Sequence, residues 1–190
     1  MSPKAPADPS LPPPWLDFLE ELDQLLPQTV ELHCLGGFVL AALYGWPRPT
    51  GDLDCIAVVP STAVSIVCSL AGSDSALTKK HRLHFQLVTV ADVPEEYASR
   101  LQEMLPGRFQ KLRLLSLEPH DLVLSKLTRN SPVDDADVLF LVKKGLLNPA
   151  TLKGRYEQEL RPNLSNVSRH DTTMNLWLEY FTPADAAPAD

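Results

Sequence analysis

The sequence predicts an α/β (α+β) fold, in which a small mixed sheet is flanked by helices and followed by a helical C-terminal part. Apolar runs typical of strands alternate with segments of helical spacing up to about residue 117, and helical spacing dominates after residue 118. The chain has 190 residues, of which 44% are hydrophobic and 22% are charged. It is therefore long enough to bury a core and ordinary in composition for a globular protein.

The first elements can be assigned in order along the chain. Residues 1–14 are rich in proline and predict a disordered tail. Residues 15–26 repeat apolar side chains at helical spacing, which predicts a helix that covers one face of the sheet. Residues 30–35 predict a strand, residues 36–44 a helix that two glycines open, and residues 52–60 a buried strand that starts with two acids and ends at a proline.

The later elements divide the chain into a predicted core and a helical part. The apolar spacing predicts helices at residues 61–70 and 94–104 and strands at residues 83–90 and 108–117. We expect a core at residues 15–117, a helical part packed on it at residues 118–181, and a second disordered tail at residues 182–190. In the helical part, helices are predicted to begin near Pro119 and Ser131 and to cover residues 149–160 and 172–181.

The glycine pair Gly36-Gly37 lies between a predicted strand and a predicted helix. Glycine lets backbone N–H groups approach an anion closely, and the N-terminus of a helix adds about half a positive charge. The pair therefore has the context of a phosphate site. Taken alone, such a pair is more commonly just a tight turn.

Asp52 and Asp54 point to the same side of their predicted strand, roughly 7 Å apart, because side chains on a strand alternate between faces. Mg²⁺ prefers carboxylates, waters and substrate phosphates, so such a pair can hold one or two ions for phosphoryl or nucleotidyl transfer. A lone pair of this kind is mostly a loop or strand-edge pair on a solvated face. Two glycines about 15 residues upstream favour a site.

At these residues the chain resembles a known superfamily. Leu35-Gly36-Gly37 and the segment Arg48-Pro49-Thr50-Gly51-Asp52-Leu53-Asp54 are similar to the motifs of DNA polymerase β-like nucleotidyltransferases. Within that superfamily the chain most resembles AbiEii-type nucleotidyltransferase-like toxins and an uncharacterised bacterial family beside them. Residues 118–130, which carry a lysine, and the acidic stretch 134–138 extend the resemblance, which covers roughly residues 28–145.

The resemblance implies a reaction and its participants. A nucleoside monophosphate would move from a nucleoside triphosphate, bound with Mg²⁺ or Mn²⁺, to a hydroxyl of an RNA or protein acceptor, and pyrophosphate would leave. The protein would be a cytoplasmic component of a toxin–antitoxin system with a cognate antitoxin. The implied catalytic residues are Asp52, Asp54, Lys126 and Asp134, with Asp52 and Asp54 as metal ligands and Gly36, Gly37, Thr50 and Lys126 as nucleotide-binding residues.

The residues themselves leave two of these roles open. Lys126 lies at the edge of an apolar helical arc, from which it could reach a phosphate or extend its head past the core into water. Asp134 follows Ser131 and Pro132 in a pattern close to a capping box, so the start of a helix explains it without catalysis. Asp137 would be its partner or a bystander.

One departure from the superfamily supports a rival interpretation. Many members carry a third carboxylate on a later strand, whereas the predicted strand at residues 83–90 carries no acid and instead has His84 and Gln86 on one face. A lone histidine in a strand is commonly structural. The alternative function is therefore a catalytically inactive module of the same fold that binds nucleotides or regulates a protein partner.

Charge and cysteine content narrow the remaining possibilities. The net charge of −7 argues against broad, sequence-independent nucleic-acid binding, although the basic stretch at residues 79–82 could guide a phosphate locally. No apolar run is long enough to span a membrane, and the N-terminus lacks a charged-then-apolar leader. The three cysteines have no metal-binding spacing, so we expect reduced core thiols in a cytoplasmic protein.

Overall fold

The computed structural model describes residue 11, residues 13–89 and residues 91–182. Most of the two predicted tails, residues 1–14 and 182–190, lies outside the described residues. The predicted α/β fold is confirmed, because helices flank a five-stranded mixed sheet. In the described part of the chain, no helix is long and apolar enough to cross a membrane.

The elements follow one another in the order that the alternating pattern predicts for most of the chain. The helices are α1 (Pro13–Leu25), α2 (Gly36–Tyr44), α3 (Val64–Ala71), α4 (Ala76–His81), α5 (Pro119–Leu124), α6 (Pro132–Lys143), α7 (Pro149–Arg155) and α8 (Val167–Glu179). The strands are β1 (Val30–Cys34), β2 (Asp52–Val59), β3 (His84–Leu87), β4 (Gln102–Met104) and β5 (Leu112–Ser116). Short 3₁₀ turns lie at Ser61–Ala63, Tyr97–Arg100 and Arg161–Asn163, and a π-helical turn at Tyr156–Leu160.

The sheet has the strand order β3-β2-β1-β5-β4. β2 pairs antiparallel with β1 and parallel with β3, while β5 pairs parallel with β1 and antiparallel with β4. A register shift between His33 and Cys34 places Cys34 opposite Cys55, and the two buried thiols lie 3.8 Å apart. β1 therefore lies in the middle of the sheet, with β2 beside it carrying the predicted acids.

The two faces of the sheet differ in polarity. Leu32, Leu53 and Leu114 lie on three adjacent strands and are fully buried. Helices α1, α3 and α4 pack against one another. Asp52 and Asp54 alternate with Leu53 along β2 and are only partly buried. The apolar face thus holds the core, and the acids project from the opposite face.

The chain forms two compact units. One consists of Met1–Val90 and Leu101–Leu117 and contains the whole sheet with α1 to α4. The other consists of Ala91–Arg100 and Glu118–Asp190 and contains α5 to α8. The first unit will be called the sheet unit and the second the helical unit.

The predicted helix at residues 94–104 is wrong. The chain instead makes a 3₁₀ turn at Tyr97–Arg100 and then enters β4, where Met104 pairs with Leu114 of β5. Arg100 donates hydrogen bonds to Asp121 and Glu159 at 2.7–3.1 Å, which holds the turn in place. Pairing and charge contacts with residues distant in sequence therefore override the local helical spacing.

Helix α4 was not predicted, although its signals are present in the sequence. Ser75 caps it by accepting a hydrogen bond from the Thr78 N–H at 3.0 Å, and Lys79, Lys80 and His81 occupy its last turn. Cations at the C-terminal end of a helix are favoured by the helix dipole. The basic stretch that the sequence suggested as a phosphate guide is thus mostly the end of a short helix.

A buried carboxylate on α1 fixes the start of β5 and gives a testable stability effect. Asp23 accepts hydrogen bonds from the backbone N–H groups of Gln110, Lys111 and Leu112 at 3.1, 2.7 and 2.7 Å. Burial opposes its ionisation, but these three donors outweigh that effect and lower the pKa of Asp23. We expect Asp23→Asn to reduce the free energy of unfolding by about 2 kcal/mol at pH 7. The NH₂ group of the asparagine would face a backbone N–H donor, which would then have no acceptor.

The same change should alter the pH dependence of stability. A folded-state pKa below the unfolded value gives stability that is present above the unfolded pKa and is lost on acidification through the folded pKa. The difference between wild type and Asp23→Asn, measured by urea unfolding, should therefore shrink below about pH 4. Asp17→Asn, an exposed position on the same helix, serves as the control. An undiminished difference in acid would contradict the role of the charge.

Candidate functional site

The first glycine of the pair is required by its backbone and by its neighbour. α2 begins at Gly36, whose φ of +74° is one that side chains rarely adopt. A Cβ atom there would overlap Oδ2 of Asp54 and lie 3.3 Å from the Asp54 Cβ. The Leu35 N–H also donates to the backbone carbonyl of Asp54 at 3.0 Å. The carboxylate of Asp54 thus lies directly against the start of α2.

The second glycine faces the other half of the motif. A Cβ atom on Gly37 would lie 3.3 Å from Thr50 Oγ1 and 3.5 Å from a terminal guanidinium nitrogen of Arg48. The residue before the helix, Leu35, provides no side-chain cap for the first N–H groups of α2. The fold therefore brings the glycine pair, Arg48, Thr50 and Asp54 together at the N-terminus of α2.

The two acids lie on the same face of β2, as predicted from the alternation of the strand. The side chain of Asp52 is 49% exposed. The parallel pairing with β3 sets His84 opposite Asp52 and Gln86 opposite Asp54, and His84 Nε2 lies 3.6 Å from Asp52 Oδ1. The strand position beside the acid pair thus carries two neutral-to-basic side chains and no third carboxylate.

The side chains of Asp52 and Asp54 suit Mg²⁺ better than zinc. Among the described residues, no group of three or more histidine, cysteine, aspartate or glutamate side chains is arranged to hold a metal ion. A catalytic zinc site would need three protein ligands, and a structural one four. Mg²⁺ is commonly held by one or two carboxylates together with waters and substrate phosphates. The donor set of Asp52 and Asp54 has the composition of such a magnesium site.

A cavity of about 620 Å³ in the sheet unit borders β3, the strand next to the acids, and neither Asp52 nor Asp54 lines it. His84 and Gln86, which are paired in register with the two acids, form part of its wall. The loop from Gly72 to Ser75 forms another part. Its volume lies within the range of small-molecule sites, about 300–1,000 Å³.

Lys126 belongs to the helical unit, where its side chain is 4% exposed. Its ammonium group donates to Asp137 at 2.8 Å and lies 3.5 Å from Asp134 Oδ1. Both carboxylates are fully buried. One interpretation of the sequence placed the head of Lys126 in water. The structure instead places the ammonium group between two buried carboxylates, which neutralise its charge.

Asp134 is held by more donors than any other acid named so far. It completes a capping box with Ser131, whose N–H and hydroxyl donate to it at 3.0 and 2.7 Å, and Arg129 binds both of its oxygens. Burial opposes its ionisation, but the hydrogen bonds from Arg129 and Ser131 outweigh that effect and hold the pKa of Asp134 well below its usual range. The capping role suggested by the sequence is confirmed. An acid held in its anionic form this firmly is a weak proton acceptor.

A second ion network in the helical unit was not foreseen. Asp121 is fully buried and accepts from Arg100 at 2.8 and 3.1 Å and from Arg155 at 3.0 Å. Glu118 pairs with Arg155 and with His120 Nδ1, and these contacts outweigh burial and lower its pKa to about 2. His120 Nε2 accepts a hydrogen bond from the Asn148 N–H at 2.8 Å. The partners lie far apart in sequence, and no local pattern predicts them.

Two comparisons gave no relative. Neither the curated proteins nor the solved structures contain a match to this chain. The proposed closeness to AbiEii-type toxins therefore stays a prediction. A family model described as "Nucleotidyltransferase of unknown function (DUF6036)" matches residues 15–183, which include every site residue predicted from the sequence. Since this match covers most of the chain, the chain belongs to that nucleotidyltransferase family.

Proposed function

We propose that this protein is a Mg²⁺-dependent nucleotidyltransferase, which moves a nucleoside monophosphate from a nucleoside triphosphate to a hydroxyl of an RNA or protein acceptor. The observation that carries the proposal is the contact between Gly36 and the Asp54 carboxylate. It sets a potential metal ligand against the N-terminus of α2, which is a suitable site for a phosphate. Membership of the nucleotidyltransferase family supports the same reaction class.

In this proposal the residues of the sheet unit bind and orient the triphosphate. The first N–H groups of α2, at Gly36 and Gly37, would bind phosphate oxygens, with the hydroxyl of Thr50 beside them. Asp52 and Asp54 would hold Mg²⁺, or Mn²⁺ in its place. When bound, the ion supplies positive charge to the phosphates and to the developing charge of the transition state.

The transfer itself is one displacement. An oxygen of the acceptor hydroxyl forms a bond to the α-phosphorus, the bond from that phosphorus to the bridging oxygen breaks, and pyrophosphate leaves. The hydroxyl proton would pass to water. With its low pKa, Asp134 is better suited to orienting a group than to accepting this proton at neutral pH. We assign Lys126 and Asp134 a positioning role through the buried ion network of the helical unit.

The physiological setting is part of the proposal as well. We propose a cytoplasmic toxin–antitoxin component whose activity a cognate antitoxin restrains. The net charge of −7 does not favour extended nucleic-acid binding, so an RNA acceptor would be recognised locally, near its reacting end.

The proposed reaction predicts that Asp54→Asn loses nucleotidyl transfer by at least about 100-fold, because the metal and phosphate chemistry depends on that charge. The measurement is incubation with each α-³²P-labelled nucleoside triphosphate and Mg²⁺ in the presence of total cell RNA and protein. Asp17→Asn removes an exposed carboxylate of the same unit and should retain wild-type transfer. Full activity of a folded Asp54→Asn variant would refute the assignment.

A second function is favoured by one specific observation. His84 and Gln86 occupy the strand positions beside Asp52 and Asp54, where the superfamily pattern would supply a third acid. A nucleotide-binding module without transfer activity fits that arrangement. Such a module would be stabilised by Mg²⁺ with a triphosphate, because a ligand that binds only the folded state raises the melting temperature. A raised melting temperature with Mg²⁺ and a triphosphate, together with no label transfer in the assay above, would favour this function.

A further inference from the structure

We propose that Arg48 is a phosphate-binding residue of the site, and that its guanidinium contacts the triphosphate beside the first turn of α2. This proposal rests on the proposed function, since it names the cation that the reaction needs. A terminal guanidinium nitrogen of Arg48 lies 3.5 Å from the position that a Cβ atom on Gly37 would occupy. Arg48 thus extends from the loop before β2 back to the helix that follows β1.

The electrostatics of the site require a cation. Two carboxylates and a triphosphate together carry more negative charge than a pair of divalent ions neutralises. Proteins that transfer phosphoryl groups supply the remaining positive charge with arginine or lysine. The start of α2 contributes only a fraction of one charge.

The lysine that the resemblance suggests for this purpose is already neutralised. Within the helical unit, Lys126 and Arg129 face Asp134 and Asp137, so two cations meet two buried anions. Moving the Lys126 ammonium to a phosphate would leave Asp137 buried without this partner, which is costly. Arg48, by contrast, is an exposed residue, so its guanidinium is accessible to a ligand from solvent.

The geometry around Gly37 suits a guanidinium. Its missing side chain leaves an opening bordered by Thr50 Oγ1 and Arg48, at 3.3 and 3.5 Å from the Cβ position. A phosphate that approaches the backbone of α2 through this opening meets a hydroxyl and a planar donor group. Arginine binds phosphate through two parallel N–H donors, which a lysine ammonium does not reproduce.

The test compares binding of triphosphates and monophosphates. Calorimetric titration of the full chain with ATP, GTP, CTP and UTP in Mg²⁺ identifies the preferred nucleotide, and the matching monophosphate is then titrated. We expect Arg48→Ala to weaken triphosphate binding about 10- to 100-fold and monophosphate binding far less. Arg48→Lys should recover only part of the loss. Arg108→Ala removes another exposed arginine of the sheet unit, paired with Glu20, and should bind as wild type does.

The outcomes separate this proposal from the proposed function. A wild-type protein that binds no triphosphate overturns the proposed function, and the role of Arg48 with it. If Arg48→Ala binds triphosphate as tightly as the wild type does, the role of Arg48 alone is overturned. The same holds if the variant loses as much affinity for the monophosphate as for the triphosphate. If the alanine variant unfolds, Arg48→Lys decides, and wild-type triphosphate affinity in that variant overturns the role.

Discussion

Gly36→Ala should abolish nucleotidyl transfer while the polypeptide still folds. Two effects combine: the φ of +74° costs an alanine about 1 kcal/mol, and the new methyl group overlaps the Asp54 carboxylate. Because backbone hydrogen bonding holds Asp54 in β2, the side chain is the part that must move away from the helix start. We expect at least about a 100-fold loss of label transfer with little change in the urea unfolding midpoint beyond the backbone cost.

Gly45→Ala provides a matched control. Gly45 caps the other end of α2 with a φ of +70°, but among the described residues no side chain and no backbone outside its own segment lies within 4 Å of its Cβ position. It therefore carries the same backbone strain without the collision. Transfer activity should survive in Gly45→Ala, and an equal loss in both variants would show that helix strain, not displacement of Asp54, causes the effect.

Lys126→Met should produce the largest loss of stability among the single substitutions proposed. It removes the cation that faces Asp137 at 2.8 Å and Asp134 at 3.5 Å, and both carboxylates are fully buried. Breaking a buried ion pair by removing one partner costs about 3–5 kcal/mol, because an uncompensated charge remains. Urea unfolding followed by circular dichroism measures the loss.

Two further variants test the cause of that loss. Adding Asp137→Asn to Lys126→Met removes the buried negative charge that faced the lysine and should recover part of the stability. Lys143→Met replaces an exposed lysine on α6 and should change the free energy of unfolding by less than about 0.5 kcal/mol. If Lys126→Met costs no more than Lys143→Met, the buried network does not depend on this ammonium group.

The parts of the fold and site that follow local rules were predictable from the sequence. Alternation along β2 places Asp52 and Asp54 on one face, and the start of α2 at the glycines follows from their position after a strand. The capping box at Ser131 and Asp134 needs only residues three apart. Each of these features is decided by neighbours within one turn of a helix or a few residues of a strand.

The features that the sequence could not supply depend on distant partners. Lys126 contacts acids 8 and 11 residues away, which a single helix would hold about 12 and 16 Å away along its axis. Arg100 meets Asp121 and Glu159 across 21 and 59 residues, and this contact accompanies a turn and strand where the spacing predicts a helix. Arg48 was part of the recognised motif, but its approach to Gly37 follows from the return of the chain into β2.

The strand order has a consequence for how the sheet unit is made during synthesis. β1 is flanked on one side by β2, which follows it closely, and on the other by β5, where Glu31 pairs with Arg113 across 82 residues. A nascent chain that ends at Val90 holds both acids and both glycines, yet an inner strand of its sheet has an open backbone edge. Such a fragment should aggregate rather than act as a minimal enzyme, because unpaired strand edges recruit other chains. The shortest fragment expected to carry the acids on a complete sheet runs to Leu117.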